Sequence, residues 1–463
     1  LKKKWLFFLL LLLKHTIPLA QPIISNDITQ LNPIPISDIA QPTSTADVVE
    51  LIKNHTGPIS IAGGKYSMGG QTATDNALQI DIKKLNHILA FDPKKKEITV
   101  ETGANWRQIQ ELIDPYNLSV QIMQSYADFT VGGSLSVNVH GRYVGEGPII
   151  LSVKQIKMVL ADGSLITASP TENPTIFYGA IGGYGAMGVI TEATFNLTDN
   201  TLLKRTSQQM LITQYYDYFQ KYVNNNTHAV FHNTLIYPPD YKTVRAVTYV
   251  TTNEAPTISV RLQPKDQDYS KLHKQIALLS SSNLAKRFRK LYDRWQYSKK
   301  QVVWRNYEAS YNVAELAPIA TKEGSFVLQE YFMPTDQFDN FYPQLINILR
   351  KHNVNVLNIS IRHAKKDSGS LLAWAKTDVF AFVIYYKQGV TSKDQQAVNR
   401  WTTELIDTAI EHQGSYYLPY QIIASQAQFE KAYPKAKQFF ELKKQLDPNN
   451  KFRNKLLDRY AQY

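Results

Sequence analysis

Three glycine-rich stretches within the first two hundred residues constrain this chain more than any other feature. The first is Ile61-Ala62-Gly63-Gly64-Lys65-Tyr66-Ser67-Met68-Gly69-Gly70-Gln71, directly after an apolar run, 59–62, that reads as a strand. Successive glycines let backbone N–H groups converge on an anion, because no Cβ holds the chain away. This stretch lacks the GxGxxG of a Rossmann unit and the GK[ST] of a P-loop. The second is Thr130-Val131-Gly132-Gly133-Ser134-Leu135-Ser136-Val137-Asn138-Val139-His140-Gly141. A third small-residue run, Gly182-Gly183-Tyr184-Gly185-Ala186-Met187-Gly188-Val189-Ile190-Thr191, precedes a strand-like segment. Two loops suited to phosphate in one region favour a dinucleotide over a mononucleotide.

The segments between these loops alternate in type. A helix over 46–52 is capped by Ser44 or Thr45 and stopped at Gly57-Pro58. Strands are expected over 78–82 and 97–100 and a helix over 106–113. A hairpin joins 151–160 to 165–168 through Ala161-Asp162-Gly163-Ser164, and 189–197 closes the region as a strand. This is an α+β pattern. At 463 residues the chain is too long for one ordinary core, and two joined domains are expected. Further on, strands over 326–333, 354–361 and 379–386 combine with helices over 338–351 and 393–411 into a second sheet with helices on one face.

The start of the chain differs in kind. Lys2, Lys3 and Lys4 precede nine apolar residues, 5–13, and Leu19-Ala20-Gln21 could be cut. That is the layout of a secretory signal, and nine residues fall short of the roughly 20 a spanning helix needs. The expectation is a signal over 1–20, a lead-in over 21–34, and an exported protein, in the periplasm if the source is a Gram-negative bacterium. The chain has no cysteine, so an exported form has neither disulfides nor a thiolate nucleophile. The net charge of +12 suits an anionic surface or substrate without requiring one.

Several side chains stand out in the second half. Glu330 sits inside the apolar strand Gln329-Glu330-Tyr331-Phe332-Met333-Pro334, where a carboxylate must either pair or act. Arg362 ends another apolar strand, and the two are expected on neighbouring strands of one face; His363 then points the other way. The segment 286–305 interleaves eight Lys and Arg with Phe288, Tyr292, Trp295 and Trp304. It is either a solvated helix face or a patch for anionic lipid or an anionic substrate. His228 and His232 have metal-like spacing but lack the Glu of HExxH, so no metal site is expected. No nucleic-acid module is apparent.

The order of the glycine stretches, with the terminal Phe439-Phe440-Glu441-Leu442-Lys443-Lys444 and Asp447-Pro448-Asn449-Asn450-Lys451-Phe452-Arg453-Asn454, resembles the vanillyl-alcohol oxidase and p-cresol methylhydroxylase superfamily. The resemblance is strongest to its sugar-oxidising members, the aldonolactone, alditol and decaprenylphosphoryl-ribose oxidases. It implies a two-lobed FAD-binding domain over 35–200, a substrate (cap) domain with an antiparallel sheet over 201–425, and a return to the FAD domain over 426–463. It implies FAD contacts at Ala62, Gly63, Gly64, Lys65, Tyr66, Ser67, Met68 and Gln71, then at Ser125, Thr130, Val131, Gly132, Gly133, Ser136, Asn138 and His140, and last at Gly188, Val189, Ile190 and Asn454. Many members bond a His before the first-loop Ser covalently to the flavin. Here that position is Tyr66, so noncovalent FAD is expected. The resemblance further places Glu330, Arg362, Tyr420 and His140 at the reaction centre; Tyr420 replaces a residue that is often Lys, and His140 serves as a base or holds its loop. It implies oxidation of a sugar, lactone or polyol alcohol, with oxygen or another acceptor taking the electrons. Gly132 is expected to leave open space where oxygen could enter.

Overall fold

The computed structural model describes residues 22–316, 320–321, 324–367 and 369–461; the expected signal over 1–20 lies outside the described residues. Three sheets organise the chain. Asp38–Ala40, Leu78–Asp81 and Ile59–Ala62 form a small parallel sheet with Leu78–Asp81 in the centre. The helix Thr45–Asn54 crosses between its outer strands. Ser44 and Asp47 close a capping box at its start, and Val48 and Ile52 are buried. These two residues pack with Ile59 and Ile80, and with Val159, Val189 and Phe452 from distant parts of the chain.

The second sheet is antiparallel, in the order Leu165–Ala168, Val153–Val159, Val189–Asp199, Glu97–Glu101 and Ile88–Asp92, with Leu118–Val120 also on Val189–Asp199. Along Val189–Asp199, burial alternates residue by residue, the period-two pattern of a strand with one face in a core. Trp106, Ile109 and Ile113 of the helix Trp106–Ile113 fill that core. The Trp106 indole N–H donates to Ser134 Oγ at 2.8 Å, tying the helix to the second glycine stretch.

The third sheet has nine strands and covers the first two. Its order is Val302–Trp304, Leu202–Leu211, Thr243–Thr251, Ala229–Ile236, Val356–Ala364, Val379–Gln388, Gly324–Pro334 and Ala320–Thr321, with Ser415–Tyr416 paired to Gly324–Pro334. Every pairing is antiparallel. The helices Phe338–Lys351 and Ser392–Glu411 pack on one face, where Phe338 and Phe341 meet Phe380 and Phe382. Val379–Gln388 is nearly all buried, as a central strand covered on both faces must be. The other face of this sheet turns toward the glycine stretches.

One part of the chain differs from the sequence expectation. The lead-in 21–34 is structured: Ile23–Ser25 pairs with Ile34–Ile36, and Asp27 and Thr29 are buried. The end of the chain pins the small parallel sheet. Ile59 N–H donates to Lys451 O at 2.7 Å, and Arg453 N–H donates to Ile59 O at 2.8 Å. A fully buried Lys443–Asp447 pair at 2.8 Å holds this turn, since Asp447 also accepts from the N–H groups of Lys451 and Phe452.

His363 alternates onto the helix-covered face, against Phe219 and Phe380. Burial, with a smaller contribution from Lys365, lowers its pKa from 6.5 to about 4. The folded chain keeps it neutral where the unfolded chain protonates it, so its contribution to stability falls as pH drops through 6.5 toward 4. A His363→Phe variant is expected to show a shallower loss of melting temperature across that window than the parent.

Candidate functional site

The glycine stretches and the open face of the large sheet enclose one cavity with about 1620 Å³ of empty space, its mouth included. The first stretch supplies Gly63, Gly64, Lys65, Tyr66, Ser67 and Met68 to its wall, with Gln71 behind them. A Cβ on Gly63 would stand 2.3 Å from Thr130 Oγ1, so glycine there lets the first and second stretches touch. Lys65 has a left-handed φ of +58°, and its ammonium reaches Gln79 Oε1 at 2.7 Å and Ser25 Oγ at 3.1 Å. The backbone N–H groups of Gly64, Lys65, Tyr66 and Ser67 find no acceptor among the described residues. Tyr66 stacks on Phe129 with ring centres 4.2 Å apart, and burial, then Asp128, raises its phenol pKa.

The second stretch is helical rather than a loop. Thr130 caps a single short helix, Val131–Ser136, by accepting from Gly133 N–H. Thr130, Gly132, Gly133, Ser136 and His140 line the cavity, as does Ser125 just upstream. A Cβ on Gly132 would lie 2.7 Å from Ile82 Cδ1 and 3.1 Å from Thr102 Cβ. The expected open space at Gly132 is therefore filled by protein packing. From the third stretch, Gly188 and Ile190 line the cavity. Gly188 has a φ of +142° and lies against Val159 O, a position only glycine occupies without strain.

Five of the expected FAD contacts lie away from the cavity wall. Ala62 and Val131 are buried in packing, and Val189 belongs to the small core with Ile59 and Ile80. Asn138 is buried and donates to Asp367 Oδ2 at 2.7 Å. Asn454 caps the helix Lys455–Tyr460 and donates to Tyr184 O at 2.9 Å, steadying the third stretch from behind.

The large sheet contributes the charged groups. Glu330 and Arg362 both line the cavity. They are not on neighbouring strands: Val379–Gln388 lies between, with Glu330 opposite Val383 and Arg362 opposite Ala381. Two strand spacings put their backbones roughly 10 Å apart, leaving a gap between the two side chains. Leu328 and Glu330 face the cavity, while Gln329 and Tyr331 face the helices, the alternation a pleated strand imposes.

Glu330 is the hub. Its Oε1 lies 2.7 Å from His140 Nε2, with both side chains 3% exposed. Its Oε2 accepts from the Tyr420 hydroxyl at 3.3 Å. Tyr420 is held by the first glycine stretch, because Gln71 Nε2 donates to the carbonyls of Leu418 and Tyr420 at 2.7 and 2.8 Å. His140 Nδ1 lies 3.1 Å from Gly141 O. A carbonyl can only accept, so Nδ1 carries a proton. The proton in the 2.7 Å contact then belongs to either His140 Nε2 or Glu330, and the pair shares it.

Residues not singled out in the sequence complete the wall. Tyr126 and Phe129 flank the second stretch and line the cavity, and Tyr417 donates to Val137 O at 2.9 Å. Tyr126 is hydrogen-bonded to Glu315, whose carboxyl is pushed up to about 7, chiefly by burial. Arg362 acts electrostatically on Tyr126. The aromatic pair just before Thr130 was the available signal; Glu315 had none. Of the two spaced histidines, His232 is buried with Tyr215 and Thr248, whereas His228 bonds Thr251 at the exposed end of its strand.

A two-lobed α+β unit with glycine loops, capped by an antiparallel sheet that brings a carboxylate over them, defines a flavin-dependent oxidoreductase scaffold. An FAD binding domain model matches residues 37–169. The D-arabinono-1,4-lactone oxidase model matches residues 193–460, more than half of the chain, and the chain belongs to that family. It is 24% identical to the L-gulonolactone oxidase of Mus musculus over 220 residues, 47% of this chain and 49% of that protein. It is 31% identical to the D-arabinono-1,4-lactone oxidase of Yarrowia lipolytica over 140 residues, 29% of this chain and 26% of that protein. Cytokinin dehydrogenase 2 of Arabidopsis thaliana is 26% identical over 175 residues, 36% of this chain and 35% of that protein. The chain spans about half or less of the length of these relatives.

The residues present fit FAD. Four consecutive backbone donors without an acceptor suit a pyrophosphate. Ser125 Oγ and Arg362 Nε, buried atoms of residues on the cavity wall, have no hydrogen-bond partner among the described residues and suit polar groups of the cofactor or substrate.

Proposed function

We propose that this protein oxidises a CH–OH group of a sugar, sugar lactone or polyol, with FAD as cofactor. The observation that carries the proposal is the Glu330–His140–Tyr420 cluster on the same cavity wall as the glycine stretches. Bound FAD supplies the hydride acceptor. The chain's own part is the proton and the orientation. Glu330 Oε2, the oxygen turned away from His140, accepts the substrate hydroxyl proton, and Tyr420 fixes that oxygen in place. His140 shares the charge of the carboxylate through Oε1, so the carboxylate does not stand alone in a buried site. Arg362 is a fixed cation across the gap, placed to stabilise negative charge that develops on the cofactor side or on the substrate oxygen. The tyrosines and glutamines around the cavity offer hydrogen bonds for a polyhydroxylated substrate. The names of the lactone oxidase relatives support this substrate class and molecular oxygen as the electron acceptor.

The cofactor is held noncovalently in this proposal, because Tyr66 stands where a linking His would be. Its ring is engaged with Phe129, and its raised pKa keeps the phenol protonated. Export to the periplasm or a membrane surface is also proposed, supported by the lysines and apolar run at 2–13.

Two outcomes follow. Under argon, aldonolactones or polyols are expected to bleach the flavin absorbance of the purified protein. Bleaching only by phenols or amines, or by nothing in the panel, would contradict the proposed substrate class. After acid denaturation and ultrafiltration the yellow colour is expected in the filtrate; colour retained with the protein would show a covalent link.

A further inference from the structure

The helix Asn283–Ser298 is mounted on the molecule with its sides reversed. Leu284, Phe288, Leu291 and Trp295 recur at i, i+4, i+7 and i+11, which puts them on one stripe. A stripe of that kind ordinarily faces a core. Here the four residues are 62%, 59%, 61% and 55% exposed. Leu278, on the preceding helix Ser270–Ser281, is exposed as well.

The polar side faces the protein instead. Lys286 is buried and donates from Nζ to Asn355 Oδ1 at 2.8 Å. Arg289 donates from Nη1 to Leu357 O at 3.0 Å and pairs with the buried Asp293 at 3.4 Å. These bonds set the rotation of the helix about its axis. Turning the stripe inward would strip the buried Lys286 and Asp293 and the half-buried Arg289 of their partners, so its exposure is built in. Of the two sequence-level alternatives, a simple solvated face does not describe it, because the solvated side is the apolar one.

Cations border the stripe. Arg287 and Arg294 run along one edge, and Lys299 stands over the Trp295 ring at 3.4 Å on the other. Arg294 has no acidic partner among the described residues, and Arg287 has only a loose 3.8 Å approach to Asp240. An apolar stripe with a basic rim matches the surface of an anionic bilayer, where acyl chains lie beneath negative headgroups. A second copy fits poorly, because stripe-to-stripe packing would bring two basic rims together. Sixteen residues are too few to span a bilayer as a helix, and no described helix is long and apolar enough to cross one. We infer that Asn283–Ser298 lies flat on an anionic lipid surface and docks the protein there through Leu284, Phe288, Leu291 and Trp295.

The test uses the full chain, with bound flavin, and co-sedimentation with phosphatidylcholine vesicles, with and without phosphatidylglycerol. Binding to the phosphatidylglycerol vesicles is expected to be at least about tenfold stronger, and to weaken with salt. Phe288→Ser with Trp295→Ser is expected to lose most of that binding while keeping the parent's melting temperature and flavin spectrum. Arg287→Gln with Arg294→Gln is expected to lose the preference for phosphatidylglycerol. Equal binding to both vesicles, or unchanged binding by the Phe288→Ser, Trp295→Ser variant, would overturn the proposal. So would a lipid-free dimer in sedimentation velocity that this variant abolishes, which would assign the stripe to self-association.

Discussion

The contact between His140 Nε2 and Glu330 Oε1 joins the two halves of the site, and the geometry of the cavity depends on it. His140 comes from the end of the second glycine stretch and Glu330 from the middle of a cap-sheet strand. Each is an ionisable group inside a buried wall, and each is tolerable there because the other is present. Losing one partner of such a pair typically costs about 3–5 kcal/mol, since the remaining group is left buried and unsatisfied. The pair therefore registers the cap sheet on the FAD-binding lobes. It also holds a proton in a 2.7 Å contact beside the oxygen that faces the cavity.

The rest of the architecture supports that registration. The first glycine stretch carries Gln71, which grips the carbonyls of Leu418 and Tyr420 and so presents the Tyr420 hydroxyl to Glu330. Tyr417 reaches back to Val137 in the second stretch, and Trp374 donates to Asn138 O at 2.9 Å. Each glycine stretch is thus positioned by residues from the distant half of the chain. The cavity exists only in the assembled molecule.

Much of this was legible in the sequence, for physical reasons that differ by element. The strand 59–62 and its glycine loop, the capped helix after Ser44 and the apolar strands around Glu330 and Arg362 carry local signals that tertiary structure does not overrule. Strands such as Leu202–Leu211 were not legible, because one face is open to solvent and its Lys, Arg, Ser and Gln residues hide the alternation. The order of strands was equally hidden. Sequence neighbours suggested that Glu330 and Arg362 share adjacent strands, yet Val379–Gln388 inserts between them. Glu315 escaped notice because only its surroundings in the fold make its carboxyl unusual. Gly132 misled because a glycine near a ligand loop suggests empty space, whereas here it makes room for Ile82 and Thr102.

The central claim is that Glu330 takes the substrate proton within a site built to hold FAD. The most direct measurement is the single-turnover rate of flavin reduction under argon in parent and Glu330→Gln proteins, with a substrate that bleaches the parent. Glutamine keeps the shape and can still bond His140, but it cannot accept a proton. The expected result is a fall of about 10²–10⁴-fold with the oxidised flavin spectrum unchanged. A reduction rate in Glu330→Gln within about threefold of the parent would contradict the claim and move the base elsewhere in the cavity.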